Sequence, residues 1–218
     1  IPDNQNPAGV SMSTERREAL VSLARQHGFV IFEDVAYRDL NLDGEDLPSL
    51  WSLAPDVVVQ AGTTSKTFFP GVRLGWAASP AVISSQLVSA KQNTDQCAGA
   101  LGQRFFEEYV RRGYLDEQLA ASRALYREKR DRLLAALERS MPSTVHWTTP
   151  HGGFFSWLTL PSDGAAELAA DAAAGGVGVV PGSLFYPDGR GSSNVRLSFS
   201  LVDESQMRRG HATANAAF

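Results

Sequence analysis

Four side chains that could act together on one ligand lie in the segment GTTSKTFFPGVRLGW, residues 62–76. Thr63 and Ser65 carry hydroxyl groups, Lys66 carries an amine and Arg73 a guanidinium. A lysine amine can lose its proton and form a Schiff base with a carbonyl, which a guanidinium cannot do. The segment therefore fits three descriptions: a phosphate site, a reactive amine, or an ordinary solvated loop.

The spacing around Lys66 excludes one kind of phosphate site. A Walker-type loop needs glycine directly before the lysine and again six residues before it, where this chain has Ser65 and Gln60. Lysine usage favours the reactive amine, because Lys66, Lys91 and Lys129 are the only lysines in a chain that otherwise relies on arginine. An amine for a carbonyl, beside hydroxyls and an arginine for a phosphate, is what pyridoxal phosphate (PLP) requires.

The segment FEDVAY offers a carboxylate, Asp34, and a hydroxyl, Tyr37, at the end of an apolar run. A pyridine cofactor needs a carboxylate that keeps its ring nitrogen protonated. Tyr37 could hydrogen-bond the phenolate oxygen of such a ring, and Asn6 in QNPAG could do the same. The alternatives stay open: a solvated strand edge or helix cap for the acid, and a plain Asn-Pro turn for Asn6.

Arg196 lies in the middle of the apolar run NVRLSFS. A charge in such a strand is costly unless it is paired. Arg196 therefore serves either a structural ion pair or a substrate carboxylate, which arginine binds in a planar, bidentate manner. The histidines have no metal-ligand spacing, so we expect no metal site.

These residues need strands and helices to position them. Ser13 is the expected N-cap of a helix over TERREALVSLARQH, which ends before Gly28. FVIFED, DVVVQAG and RLGWAAS are predicted strands. Because their apolar runs do not alternate, they indicate an α/β sheet covered on both faces.

The second half of the chain has a different pattern. Helical periodicity extends from about Pro80 to Met141, and it is followed by a strand at GGFFSWLTL and a helix over 165–174. VRLSFS is a further strand, and ESQMRRGHATANAA is predicted to be a closing helix. We therefore expect a large α/β domain over residues 1–112 and a small α+β domain over residues 113–218.

Composition narrows the class of protein. A hydrophobic fraction of 43% and a charged fraction of 20% are typical of globular proteins. The net charge of -4 argues against nucleic-acid and anionic-membrane partners, and no apolar run is long enough to span a bilayer. Cys97 is the only cysteine, which favours a reducing compartment and predicts a cytoplasmic protein.

The order of the motifs is more specific than any one of them. QNPAG, EDVAY, GTTSKTFFPGVRLGW, PHGGFFSW, VVPGSLF and VRLSFS follow one another along almost the whole chain. This series resembles the fold-type I, class I/II aminotransferases, which use PLP. The residues of these motifs are most similar to those of one branch of the family, which contains aminoadipate and kynurenine aminotransferases and the transaminase-like domains of certain bacterial regulators.

The resemblance implies a role for each candidate residue. Lys66 would form the Schiff base with the cofactor and move a proton at the substrate α-carbon. Asp34 would pair with the pyridine nitrogen, while Tyr37 and Asn6 would bind the phenolate oxygen.

The phosphate and the substrate have their own residues in this resemblance. Thr63, Ser65 and Arg73 would hold the phosphate, and Arg196 would bind the substrate α-carboxylate, with Asn6 also on the substrate side. The implied fold is part of a PLP-transferase large domain, mainly a parallel sheet flanked by helices, followed by a small C-terminal α+β domain.

The resemblance also implies substrates and an oligomeric state, and it implies that family members contain sequence which this chain lacks. The substrates would be an amino acid and a 2-oxo acid, and the enzyme a homodimer. Family members carry roughly as much chain again before the asparagine turn, so we expect a fragment of a longer enzyme, with a second polypeptide or a truncated relative as alternatives. The alternative functions are a PLP-dependent lyase or decarboxylase, and a regulatory domain that binds PLP and an amino acid without turnover.

Overall fold

The computed structural model describes residues 1–44 and 46–201. The chain divides into two compact units. The first unit contains Ile1–Asp3 and Ser11–Arg123, and the second contains Asn4–Val10 and the described residues from Ala124 onward. The domain boundary between residues 112 and 113 stays a prediction.

The first unit has the predicted order of helix, strand and further strands. Its elements are α1 (Thr14–His27), β1 (Ile31–Asp34), α2 (Leu50–Leu53), β2 (Val58–Thr63), β3 (Gly75–Ala78), α3 (Ala81–Thr94), α4 (Ala100–Arg111) and the start of α5 (Tyr114–Ser140). Short 3₁₀ turns occupy Arg38–Leu40 and Pro70–Val72.

Both predicted ends of α1 are confirmed. The Ser13 side chain accepts a hydrogen bond from the amide of Arg16 at 3.4 Å, which satisfies one of the free amides of the first turn. Gly28 ends the helix with φ 70°, a left-handed conformation that glycine adopts without steric cost.

The sheet of the first unit has the strand order β1-β2-β3. β1 pairs with β2 in parallel, with Ile31 opposite Val58, and β3 pairs with β2 antiparallel, with Gln60 opposite Ala78. Its core contains Ile31 and Val58 together with Val21 of α1. The sheet and α1 therefore share one apolar core.

The expectation that this sheet is covered on both faces is wrong for the described residues. Phe32 is 69% exposed and Trp76 is 48% exposed, whereas Ile31 and Glu33 are buried. Successive side chains of a strand point to opposite faces, so β1 buries one face and leaves the other to solvent. A continuous apolar run does not reveal this difference.

A buried ionic cluster holds the first segment of the chain in place. The guanidinium of Arg17, which is 0% exposed, donates to Asp3 Oδ1 at 2.6 Å and to Asp3 Oδ2 at 3.4 Å. It also donates to the carbonyls of Met12, Pro48 and Pro2. Arg38 also donates to Asp3 Oδ2, at 3.0 Å. Asp3 therefore ties α1 to the turn that follows Tyr37.

The predicted helical region from about Pro80 to Met141 is confirmed as three helices, α3 to α5. α3 and α4 contain no buried residue in this structure. Within the described residues, no helix is both long and apolar enough to cross a membrane.

The second unit is built on an antiparallel sheet with the order β4-β5-β7-β6. After α5 come β4 (His146–Trp147), β5 (Phe155–Thr159), α6 (Ala165–Ala174), β6 (Val180–Pro181), a 3₁₀ turn at Gly182–Phe185 and β7 (Asn194–Ser198). The core includes Leu137, Leu158 and Val195. The two predicted strands and the helix over 165–174 are confirmed, and the predicted closing helix lies outside the described residues.

Candidate active site

The candidate residues of the first unit follow the ends of two neighbouring strands. β1 ends at Asp34 and β2 ends at Thr63, and Asp34 is paired with Ala61 in the parallel register. The carboxyl ends of parallel strands lie at the same edge of a sheet, where α/β proteins bind ligands. The fold therefore brings Asp34 and the Thr63 loop to one edge.

The two carboxylates that end β1 have different surroundings. Glu33 is 1% exposed, and its oxygens accept from the amides of Leu50 and Trp51 and from Gln60 Nε2, at 2.8, 3.0 and 2.8 Å. Those bonds cap the start of α2, which makes Glu33 a structural residue.

Asp34 is only half-buried, and its bonding is incomplete. Its Oδ1 accepts from the amide of Ala36 at 3.0 Å, and no further hydrogen bond to the Asp34 side chain occurs within residues 1–44 and 46–201. One carboxylate oxygen of Asp34 is therefore available to a ligand, whereas both oxygens of Glu33 are used by the protein.

Lys66 lies beside Tyr37. Its Nζ is 5.8 Å from the centre of the Tyr37 ring, and Tyr37 itself is buried. In the described part of the chain, Nζ of Lys66 makes no hydrogen bond or ion pair. The other lysines differ in this respect: Lys91 pairs with Asp95 at 2.9 Å, and Lys129 donates to the carbonyl of Ser200 at 3.0 Å.

The loop before Lys66 is held in shape by its own hydroxyl groups. Thr63 Oγ1 donates to Ser65 Oγ at 3.0 Å, and the amide of Ser65 donates back to Thr63 Oγ1 at 3.1 Å. Thr64 is buried and uses both its amide and its hydroxyl to bind the carbonyl of Leu74, at 3.0 and 3.1 Å. The two predicted phosphate hydroxyls therefore stand side by side on an ordered turn.

Arg73 follows the 3₁₀ turn at Pro70–Val72 and has a left-handed backbone with φ 52°. Its side chain is exposed and donates to the carbonyl of Pro70 at 3.2 Å. A guanidinium has five N–H donors, so within residues 1–44 and 46–201 most of the donors of Arg73 are left for an anion.

Asn6 and Arg196 belong to the second unit, although 190 residues separate them along the chain. Arg196 donates from one terminal nitrogen to Asn6 Oδ1 at 2.9 Å. Its guanidinium carbon lies 4.3 Å from the ring centre of Phe155 and 5.0 Å from that of Phe185. An arginine in an apolar strand thus gains an amide partner and two aromatic faces.

Sequence reasoning missed the two phenylalanines beside Arg196. Phe155 is two residues from Trp157, the direct partner of Arg196 on β5, and so lies on the same face of the sheet. That Phe155 and Arg196 share a face of the sheet can be inferred only once the pairing of β5 with β7 is known. Among the described residues, no group of three or more potential ligands could hold a metal ion.

Comparison with known proteins gives a consistent result. The family model "Aminotransferase class I and II" matches residues 4–212. The chain is 39% identical to aromatic-amino-acid aminotransferase 1 of Thermococcus litoralis over 212 residues, which are 96% of this chain and 51% of that protein. It is 36% identical to the 2-aminoadipate transaminase of Thermus thermophilus, covering 96% of this chain and 54% of the relative.

A solved structure shares the fold. The multiple substrate aminotransferase of Thermococcus profundus superposes with a TM-score of 0.93 at 38% identity, over 100% of this chain and 54% of that one. This confirms the predicted α/β class. The chain spans about half the length of the curated relatives it matches. Because the family model matches nearly every residue of the chain, the chain belongs to the class I and II aminotransferases.

Proposed function

We propose that the protein of this chain is a PLP-dependent aminotransferase, which moves an amino group between an amino acid and a 2-oxo acid. The observation that carries the proposal is the amine of Lys66. Within the described residues it makes no hydrogen bond or ion pair, it lies 5.8 Å from the Tyr37 ring, and it follows the hydroxyl pair of an ordered turn. An amine that the protein does not use is available for reaction with a carbonyl.

The residues of the first unit suit a phosphorylated pyridine aldehyde. When bound, PLP withdraws electrons from the substrate α-carbon and so weakens the bonds to that atom. Lys66 would take the proton from the substrate α-carbon as a general base and deliver it to the cofactor carbon as a general acid. Asp34 would pair through its available oxygen with the protonated ring nitrogen, and Tyr37 would donate a hydrogen bond to the phenolate oxygen.

The anionic end of the cofactor needs donors. Thr63 and Ser65 supply hydroxyl groups that already face each other at 3.0 Å, so little ordering is required when a phosphate binds. Arg73 supplies an exposed guanidinium and can pair with two phosphate oxygens at once.

The second unit supplies the residues for the substrate. Arg196 would bind the α-carboxylate through its planar guanidinium. Asn6 keeps its side-chain amide nitrogen for a second contact, with the phenolate oxygen or the substrate, because its oxygen accepts from Arg196. The proposed homodimer and the cytoplasmic location remain predictions from the resemblance and the composition.

Cofactor binding is the direct test. The chain is incubated with PLP and reduced with borohydride, and its peptides are weighed by mass spectrometry. We expect a stable mass increase on the peptide that contains Lys66 and none in Lys66→Ala, with Lys91→Ala as the matched control. A wild-type chain that takes up no label on that peptide rejects the assignment of Lys66.

Half-reactions distinguish the alternative functions. Incubation of the PLP-loaded protein with a panel of amino acids should produce pyridoxamine phosphate and the matching 2-oxo acid. Carbon dioxide or an eliminated fragment would instead indicate a decarboxylase or a lyase. A protein that binds PLP and amino acids but converts neither would be a regulatory domain.

A further inference from the structure

The guanidinium of Arg196 is enclosed by aromatic rings of its own unit. β7 runs between β5 and β6, and Arg196 lies opposite Trp157 on one side and Val180 on the other. Phe155 and Phe185 lie 4.3 and 5.0 Å from the guanidinium carbon. We call Phe155, Phe185 and Trp157 the aromatic clamp.

The clamp is itself braced. The rings of Trp157 and Phe185 meet edge to face, with centres 5.5 Å apart and an interplanar angle of 84°. Phe185 closes the 3₁₀ turn that begins at Gly182. A Cβ on Gly182 would lie 2.6 Å from both the carbonyl oxygen of Gly191 and the Cβ of Asn194, so only glycine lets this turn approach β7 closely.

A clamped guanidinium has little freedom left to lose. Aromatic faces attract the cation but offer no lone pair to its N–H groups, so the rings restrain its position without using its donors. Asn6 Oδ1 occupies one N–H group of a terminal nitrogen at 2.9 Å and thereby fixes rotation of the group in its plane. A planar carboxylate can then bind without the entropy loss of ordering a long side chain.

We propose that Phe185 is a positioning residue, which holds the Arg196 guanidinium in the orientation that binds a carboxylate. The inference rests on the proposed function for the identity of the ligand, an α-carboxylate. It goes beyond that function because it assigns part of the affinity for the carboxylate to Phe185, which acts through Arg196 and does not contact the carboxylate.

Reactivity of Arg196 toward phenylglyoxal tests the clamp without turnover or cofactor. The rate is followed on the peptide that contains Arg196 by mass spectrometry. Removing a partly desolvated ring–cation contact in Phe185→Leu should raise the modification rate about three- to tenfold. Phe185→Tyr keeps a ring and should retain the wild-type rate, and Leu184→Ala is the matched control, since Leu184 is 75% exposed on the same turn.

Protection by pyruvate tests the carboxylate. Pyruvate should slow the modification of Arg196 in the wild type, and Phe185→Leu should need about three- to tenfold more pyruvate for the same protection. An unchanged rate and unchanged protection in Phe185→Leu would overturn the inference, as would absence of protection in the wild type. Phe185→Met, which keeps the apolar volume, replaces the leucine variant if circular dichroism shows that the latter is unfolded.

Turnover separates the two proposals. If the wild-type protein transfers amino groups, Phe185→Leu should raise KM for the amino acid about three- to tenfold and leave kcat nearly unchanged. A wild type without transfer, but with Arg196 protected by pyruvate, rejects the aminotransferase and keeps the clamp. A wild type with transfer, but with Phe185→Leu identical to it in both assays, rejects the clamp and keeps the aminotransferase.

Discussion

Two cations of the first unit, Arg17 and Lys66, differ in how the protein uses their N–H groups. Arg17 is fully buried, and its five donors go to the two oxygens of Asp3 and to three backbone carbonyls. Lys66 is exposed, and within the described residues none of its donors is used. A cation with all its donors bound stabilises the fold, whereas one with free donors is available to a ligand.

The adjacent acids of β1 repeat this contrast. Glu33 gives both carboxylate oxygens to the protein, and Asp34 gives one. Charge and sequence position are nearly the same for the two residues, so burial and hydrogen bonding separate a structural acid from a candidate catalytic one. The contrast predicts that stability and activity respond to different members of each pair.

The largest expected effect is on activity and concerns Lys66. Lys66→Ala should lower the rate of amino transfer by at least about 10²–10⁴-fold, the range of general acid–base catalysis. Its free energy of unfolding should change by no more than about 0.5 kcal/mol, because the side chain is exposed. Steady-state kinetics and urea unfolding provide the two measurements, and Lys66→Arg, which keeps the charge, should be equally inactive. A stability loss as large as that of an Arg17 variant would contradict the contrast.

The next effect is on stability and concerns Arg17. Arg17→Met should lower the free energy of unfolding by about 3–5 kcal/mol, because it leaves the carboxylate of Asp3 buried with less compensation. Urea unfolding followed by tryptophan fluorescence measures the loss. Arg25→Met, which breaks the exposed pair with Asp56, is the matched control and should have little effect. Equal losses of unfolding free energy in the two variants would show that the buried cluster stabilises the protein no more than the exposed pair does.

The pair of acids gives a smaller and sharper test. Glu33→Gln replaces one accepting oxygen by a donor, next to amides that need an acceptor, and should cost about 1–3 kcal/mol of stability. Asp34→Asn should leave stability nearly unchanged and reduce amino transfer. Urea unfolding should therefore show a loss of stability in Glu33→Gln but not in Asp34→Asn, and steady-state kinetics should show a loss of amino transfer in Asp34→Asn. Activity loss in Glu33→Gln without destabilisation would reverse the assignment.

The smallest expected effect is the pH dependence of a surface cluster of one acid and two arginines. The guanidinium groups of Arg111 and Arg112 hydrogen-bond Glu108 and lower the pKa of its carboxyl from 4.5 to about 2. A lowered pKa favours the folded state above the unfolded value, so this contribution is present above pH 4.5 and is lost as the pH falls toward about 2. The difference in stability between wild type and Glu108→Gln should be small, should shrink below pH 4.5, and should weaken in high salt. A difference that grows toward acid pH would contradict this sign.

Much of the local structure was predictable because its signals are local. The α1 helix follows from a serine cap and a terminal glycine, and both act within one turn of the helix. The strands follow from short apolar runs between turn residues. The exposure of Phe32 was not predictable, because a strand's own residues do not tell which of its faces has a partner.

The candidate site residues could be named from the sequence, but their contacts could not. Asn6 and Arg196 were proposed separately, and their hydrogen bond joins residues that lie 190 positions apart, which no local pattern reveals. The role of Phe185 likewise depends on the approach of the turn at Gly182 to β7. Lys66 was singled out by the scarcity of lysine, whereas only the tertiary structure shows that its amine makes no hydrogen bond or ion pair within the described residues.

The sequence by itself determined the family, the order of helices and strands, and the set of groups able to do chemistry, because these depend on residue identity and short spacing. The tertiary structure alone decided which acid of β1 is enclosed, which cations are bound by the protein, and which rings surround Arg196. The physical reason is that burial and hydrogen bonding are supplied by neighbours from distant parts of the chain, as when Pro2, Asp3, Met12 and Pro48 together enclose Arg17.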